Sequence, residues 1–169
     1  MKVAVTDANI FIDLIDLDLL NAFFSLDLDV HTSFEVYGEL YPEQQSLLNG
    51  YRQNKRLNVV AFQAMERTEI MQQVLPARVS IQDRTVLYLA NKLNAMLLSS
   101  DKDVRIAAKN RHIEYHGMLW VFDQLVDKAL LNASDAIIKL NRLCQINTTF
   151  QNNEELIREI KTRLTGWST

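Results

Sequence analysis

The chain reads as an α/β domain: three α/β/α layers around a mainly parallel central sheet. Two short apolar runs, Val3-Ala4-Val5-Thr6 and Ala95-Met96-Leu97-Leu98, each lead into an aspartate that opens a helix, Asp7 and Asp101. Strand-like runs alternate with helical periodicity along the chain, the pattern of parallel strands joined by crossover helices. The 169 residues suffice for one domain with its own core, and no stretch rich in Pro, Gly or Ser marks an internal linker. The whole chain, 1–169, is therefore expected to form a single domain, with additional helices from about 132 to 169.

The elements follow in order. After the first strand, Ile10 to Phe24 is apolar with interspersed Asp13, Asp16 and Asp18, and predicts one or two helices. Leu28 to Thr32 predicts a second strand. Ser33 or Thr32 then caps a helix carrying Glu35 and Glu39 that ends near Pro42. Glu43 to Arg52 reads as a helix and Leu57 to Phe62 as a third strand, with the polar turn Gln53-Asn54-Lys55-Arg56 between them. Ala64 to Val74 is helical and stops at Pro76. Ser80 caps a stronger helix whose Val86, Leu87, Leu89, Ala90 and Leu93 share a face, and this helix feeds the strand before Asp101. Val104 to Asn110 forms the next helix, Ile113 to His116 a last strand, and Met118 to Leu131 a further helix. Ser134 to Cys144 and Glu154 to Leu164 complete the chain. In the last of these Asn153 caps, Glu154 and Glu155 lie in the first turn, and Lys161 and Arg163 are placed in the last turn, as the helix dipole favours.

Composition narrows the function classes. A formal net charge of −3 argues against broad electrostatic attachment to nucleic acid and leaves only local basic patches. The single cysteine, Cys144, permits neither an internal disulfide nor a thiolate metal cluster, so any metal has oxygen ligands. No apolar run approaches the ~20 residues needed to cross a bilayer, and the predicted location is the cytoplasm.

The acids carry the chemistry. In an open parallel sheet, ligands collect beyond the carboxyl ends of the strands. Asp7 and Asp101 end different strands at that edge, Glu39 follows the second strand, and Asp83 lies in the first turn of the helix leading to Asp101. Each has a plain reading: Asp7 and Asp101 as helix caps, Asp83 as the third residue of a capping box with Ser80, Glu39 as a surface residue. As a set, four acids at one edge repel one another unless a cation neutralises them, which points to Mg2+ or Mn2+. Other catalytic sets are absent. There is no Walker glycine loop, no HExxH pattern and no nucleophile elbow, and His31, His112 and His116 are scattered. A dehalogenase-type phosphatase wants a second aspartate where Asn9 stands.

The order Asp7-Ala8-Asn9, Glu39-Leu40, Asp83 opening a helix, then Ser99-Ser100-Asp101-Lys102-Asp103 resembles the PIN domain, the ribonuclease fold of VapC-type toxins. The resemblance covers roughly the first 125 residues. It implies a PIN-like fold and a metal-dependent endoribonuclease, the toxin of a type II toxin-antitoxin pair. It further implies that Asp7 and Asp101 bind the metal directly, with Glu39 and Asp83 completing the shell. Asn9 and Ser99 match supporting polar positions, Asp103 is an extra ligand or a helix acid, and Glu35 is the alternative to Glu39. An antitoxin across the helices beside the site, and a homodimer, are the partners implied. The chain departs from the commonest pattern from Gly117-Met118-Leu119-Trp120 onward. Two other readings stay open: a non-catalytic binding or assembly protein, and a nuclease acting on DNA or flaps.

Lys102, Arg105 and Lys109 share a helix face after Asp101 and suit a nucleic-acid backbone or simply a solvated face. Arg52, Lys55 and Arg56 form a second basic patch, and Tyr37, Tyr41 and Tyr51 either stack on bases or pack. The apolar stretch Ile10 to Phe24 either meets a partner or packs within the domain.

Overall fold

A computed structural model describes all residues, Met1–Thr169. Five strands, β1 (Lys2–Thr6), β2 (Leu28–Ser33), β3 (Leu57–Val60), β4 (Met96–Leu98) and β5 (Tyr115–His116), form one sheet in the order β3-β2-β1-β4-β5. Every pairing is parallel. Ten α-helices accompany it: α1 (Ala8–Asp16), α2 (Leu20–Phe24), α3 (Phe34–Glu39), α4 (Pro42–Gln53), α5 (Ala64–Gln72), α6 (Ile81–Leu93), α7 (Lys102–Asn110), α8 (Met118–Asp127), α9 (Ala133–Ile146) and α10 (Glu154–Trp167). The predicted α/β class holds, and the sheet is wholly parallel. No helix is long and apolar enough to cross a membrane.

The chain forms two compact units. One comprises Met1–Ile12 and Asp27–Met118, the other Asp13–Leu26 and Leu119–Thr169. The first contains the sheet. β1 sits at its centre, with Ala4 paired to Val30 on one side and to Met96 on the other. Ala4, Val5, Val30, Leu97 and Leu98 are buried, the near-continuous apolar character expected of parallel strands covered on both faces. α6 packs against β1, β2 and α3. Its start is fixed by the Ser80–Asp83 capping box: Asp83 N–H donates to Ser80 Oγ at 3.1 Å and Ser80 N–H to Asp83 Oδ2 at 3.0 Å. Asn94, left-handed at φ 49°, ends the helix before β4.

In the second unit, Arg163 of α10 pairs with Asp123 of α8 at 2.7 Å, and Lys139 Nζ donates to the Leu17 carbonyl at 2.6 Å. Asn147 Nδ2 donates to the buried Asp13 carboxylate at 3.0 Å.

Several boundaries differ from expectation. β3 stops at Val60 rather than Phe62, and α8 at Asp127 rather than Leu131, because Ala129 turns left-handed at φ 55°. α10 runs on to Trp167, so Lys161 and Arg163 lie before its last turn, which holds no basic residue. The dipole argument therefore fails there, and Arg163 is held instead by Asp123. In the apolar stretch Ile10 to Phe24, Ile12, Ile15 and Leu20 are half-buried and the rest of its large apolar side chains are buried. Ile10, Phe11, Leu14, Leu17, Leu19 and Phe23 are all within 1% of complete burial.

Candidate active site

At the carboxyl end of the sheet, β1 and β4 are clamped together by polar groups. Asp7 N–H donates to the Leu98 carbonyl at 2.9 Å, extending the ladder by one bond beyond β1. The Asp7 residue is only 3% exposed. Its Oδ1 accepts from Ala8 N–H at 2.7 Å, opening α1, and its Oδ2 accepts from Ser99 Oγ at 2.7 Å and from Asn9 Nδ2 at 2.9 Å. Asn9 completes the loop, its Oδ1 accepting from Ser100 N–H at 2.9 Å. Ser99 Oγ in turn accepts from Asp101 N–H at 3.1 Å. One hydroxyl thus links the two aspartates that end the two strands.

Asp101 is the N-cap of α7, with Oδ1 accepting from Val104 N–H at 2.9 Å and the residue itself exposed. The helix begins at Lys102, two residues earlier than expected from sequence, because this cap starts it.

The other acids come from α3 and α6. Ser33 ends β2 and caps α3, accepting from Val36 N–H at 3.0 Å. That short helix delivers Glu39 as its last residue. Thr85 Oγ1, just beyond the capping box of α6, donates to Ser33 Oγ at 2.7 Å within the core. This bond ties the start of α6, and so Asp83, to the end of β2. Neither it nor the Thr32 Oγ1 bond to the Thr6 carbonyl at 2.7 Å carries a signal in the sequence.

Electrostatics show which acids influence one another. The Asp7 carboxyl is pushed up from 3.8 to about 6, first by burial and further by the negative charges of Asp83 and Glu39, against the Ser99 and Ala8 hydrogen bonds that favour its ionised form. Glu39 is likewise raised, by partial burial and then by Asp83. Asp7, Glu39 and Asp83 therefore share one field, and Asp101 joins them through Ser99.

Asp103 is placed differently. Its carboxylate is ion-paired with Arg78 at 2.7 Å, and this partner holds it below the usual carboxylate range. Glu35, on the same helix as Glu39, has a buried Oε2 with no partner. Of the basic stripe, Lys102 and Lys109 are exposed, while the Arg105 guanidinium lies 5.3 Å from the centre of the Tyr115 ring.

The donor set suits a hard divalent cation in chemistry and charge: oxygen ligands, mutually repelling, with one buried carboxylate already raised. No three of the acids close on a single point, so the fit lies in the donors and their field rather than in a ready-made cage.

The DUF3368 family model, described as a PIN domain, matches residues 3–165. The chain is a PIN domain. The match spans nearly the whole sequence, both compact units included. PIN domains are generally nucleases that use divalent metal ions, so the family gives this fold a nuclease-type function. No curated protein matches the chain.

Proposed function

We propose that this PIN domain is a divalent-metal-dependent endoribonuclease that hydrolyses RNA phosphodiester bonds, working in the cytoplasm as the toxin of a type II toxin-antitoxin pair. One observation supports the nuclease reading: a buried aspartate at the carboxyl end of a parallel sheet, linked by a single hydroxyl to Asp101, with its carboxyl raised first by burial and then by the charges of Asp83 and Glu39.

Asp7, Glu39, Asp83 and Asp101 would hold Mg2+ or Mn2+. When bound, the ion supplies neutralisation of charge on the attacked phosphate and a more acidic water. The protein's own part is positional. Asn9 and Ser99 both hold Asp7 Oδ2, which fixes the carboxylate and leaves Oδ1, bonded only to Ala8 N–H, with a lone pair for a metal. Glu39, exposed at the end of α3 and within the field of Asp83, is suited to orient the attacking water and accept its proton. Lys102 and Lys109, exposed on α7 directly after Asp101, are placed for the backbone phosphates of a single strand.

The toxin role and an antitoxin partner rest on the similarity in order and context of Asp7, Glu39, Asp83 and Asp101 to VapC-type chains, and a homodimer is the companion expectation.

The test is cleavage of a mixed single-stranded RNA pool by partner-free protein with manganese, with EDTA, and with Asp101→Asn. Cleavage that disappears in both controls supports the reading. Folded wild-type protein that neither binds manganese nor cleaves would favour the non-catalytic binding role, and cleavage confined to DNA or flaps would move the substrate class.

A further inference from the structure

β3 is the outermost strand on its side of the sheet, and its backbone bonds only to β2. Natural sheet edges are commonly blunted by lysine, proline or a covering element. Leu57-Asn58-Val59-Val60 carries no charge and no proline. Beside it lies a cavity of about 670 Å³ lined by all four strand residues, by His31 of β2, and by Asn49, Arg52 and Gln53 of α4.

Polar groups on β2 and β3 occupy the floor of this cavity. The register sets Asn58 beside His31. Asn58 Nδ2 donates to Asp29 Oδ1 at 3.0 Å, and His31 Nε2 lies 2.9 Å from Asp29 Oδ2. Asp29, its side chain 34% exposed, is thus already engaged by Asn58 and His31. Both His31 ring nitrogens are buried without a well-aligned hydrogen bond, and Nδ1 has no acidic neighbour either. At the rim, the cations are not neutralised. The Arg52 guanidinium is held 4.6 Å above the Tyr37 ring, and neither it nor the exposed Lys55 of the following turn has an acidic partner.

An unpaired strand edge beside uncompensated positive charge fits one kind of ligand better than others. An extended chain continues the ladder through its backbone, and its alternate side chains fall on one face. We propose that the free edge of β3 takes up an extended acidic segment of a protein partner, which adds to the sheet as a sixth strand with its carboxylates toward Arg52 and Lys55. A single-stranded nucleic acid would answer the charge and leave the strand edge unused. This docking edge is separate from the carboxylate site and does not depend on the nuclease reading.

The test titrates the full chain, isotope-labelled for amide NMR, with an eight-residue peptide of alternating valine and glutamate. Three other probes are run beside it: the same peptide N-methylated on its backbone, a valine–lysine counterpart, and an eight-nucleotide oligouridylate. The glutamate peptide should shift the amides of Leu57 to Val60 and slow their hydrogen exchange, whereas the N-methylated and lysine peptides should not. Arg52→Glu should weaken that binding about tenfold or more, and Lys55→Glu, at an exposed turn position, should weaken it in the same direction. No shift at Leu57 to Val60 with millimolar peptide would overturn the proposal. So would binding that survives N-methylation or both charge reversals, or oligouridylate moving these amides where the peptide does not.

Discussion

Asp7 and Asp13 are six positions apart in sequence, both are buried, and both carboxyls are pushed up to about 6, yet they lie in different compact units and in opposite kinds of surroundings. Asp7 accepts from a hydroxyl, a side-chain amide and a backbone N–H while two further acids press on it. Asp13 is raised first by burial, has the Asn147 amide as its one counterweight, and feels only Asp16 as a like charge. Burial is the first cause of both displacements; what differs is the company, two further carboxylates acting on Asp7 and only Asp16 on Asp13. A raised pKa identifies burial, and the company a carboxylate keeps identifies a site.

The largest expected effect separates the two. Under the proposed function, Asp7→Asn should lower RNA cleavage on the order of a thousandfold or more, since it would remove a metal ligand and its charge together. Asp13→Asn should leave cleavage unchanged, and measured turnover of both variants under one manganese concentration decides it. If Asp13→Asn also loses activity with its fold intact, the contrast collapses.

Stability should tell the second half. For each carboxyl the folded-state value lies above the unfolded one of 3.8, so the native state holds the proton more tightly. Each contribution is fully present below about pH 4 and is lost as pH rises through about 6, a difference of roughly 3 kcal/mol per group by neutrality. The amide introduced by Asp13→Asn can still accept from Asn147, so this variant should flatten the pH dependence of urea unfolding between pH 4 and 7 and raise stability at pH 7. An unaltered profile would mean that Asp13 is not the titrating group.

Metal should distinguish the sites at a similar scale. Manganese at a hundred times its dissociation constant adds about 2.7 kcal/mol to a protein that binds it only when folded. Wild type and Asp13→Asn should both show the rise in melting temperature, and Asp7→Asn should not. An equal rise in Asp7→Asn would place the ion elsewhere.

Ser99→Ala probes the link itself. Losing the hydroxyl that serves Asp7 and Asp101 leaves a buried carboxylate one donor short, at a cost of about 1–3 kcal/mol, with a smaller fall in turnover than Asp7→Asn. The smallest effect is expected on α7: Lys102→Glu with Lys109→Glu should make the logarithmic salt slope of RNA binding shallower by about 0.7 for each phosphate no longer neutralised. A slope that does not move would remove the stripe from the substrate path.

Much of this arrangement is legible in the sequence because the relevant signals are local. An apolar run meeting an aspartate marks the ends of β1 and β4, and Ser80 followed by Asp83 is a capping box whether or not the rest of the fold is known. What stays hidden depends on partners far along the chain. The Ser33–Thr85 bond spans 52 positions and the Arg78–Asp103 pair 25, so no pattern in either segment announces them. By sequence Asp13 is one of three acidic interruptions in an apolar stretch. Only packing shows that Asp16 and Asp18 reach solvent and Asp13 does not. The last turn of α10 is misplaced by sequence because the helix carries Gly166, a residue that commonly ends helices, without a left-handed φ and runs on to Trp167.

The Ser99–Asp7 bond joins residues 92 positions apart, across the pairing of β1 with β4. Bonds of such separation form only after a long stretch of chain has been ordered. During synthesis, Asp7 leaves the ribosome early and waits for Ser99 and Asp101 to emerge before its surroundings exist. A fragment ending short of β4 lacks the strand that flanks β1 on one side, the Ser99 hydroxyl and Asp101, and so keeps Asp7, Glu39 and Asp83 without the link to the fourth acid. The full set of carboxylates at this edge is withheld from the nascent chain until Asp101 has been made, a delay set by strand order alone.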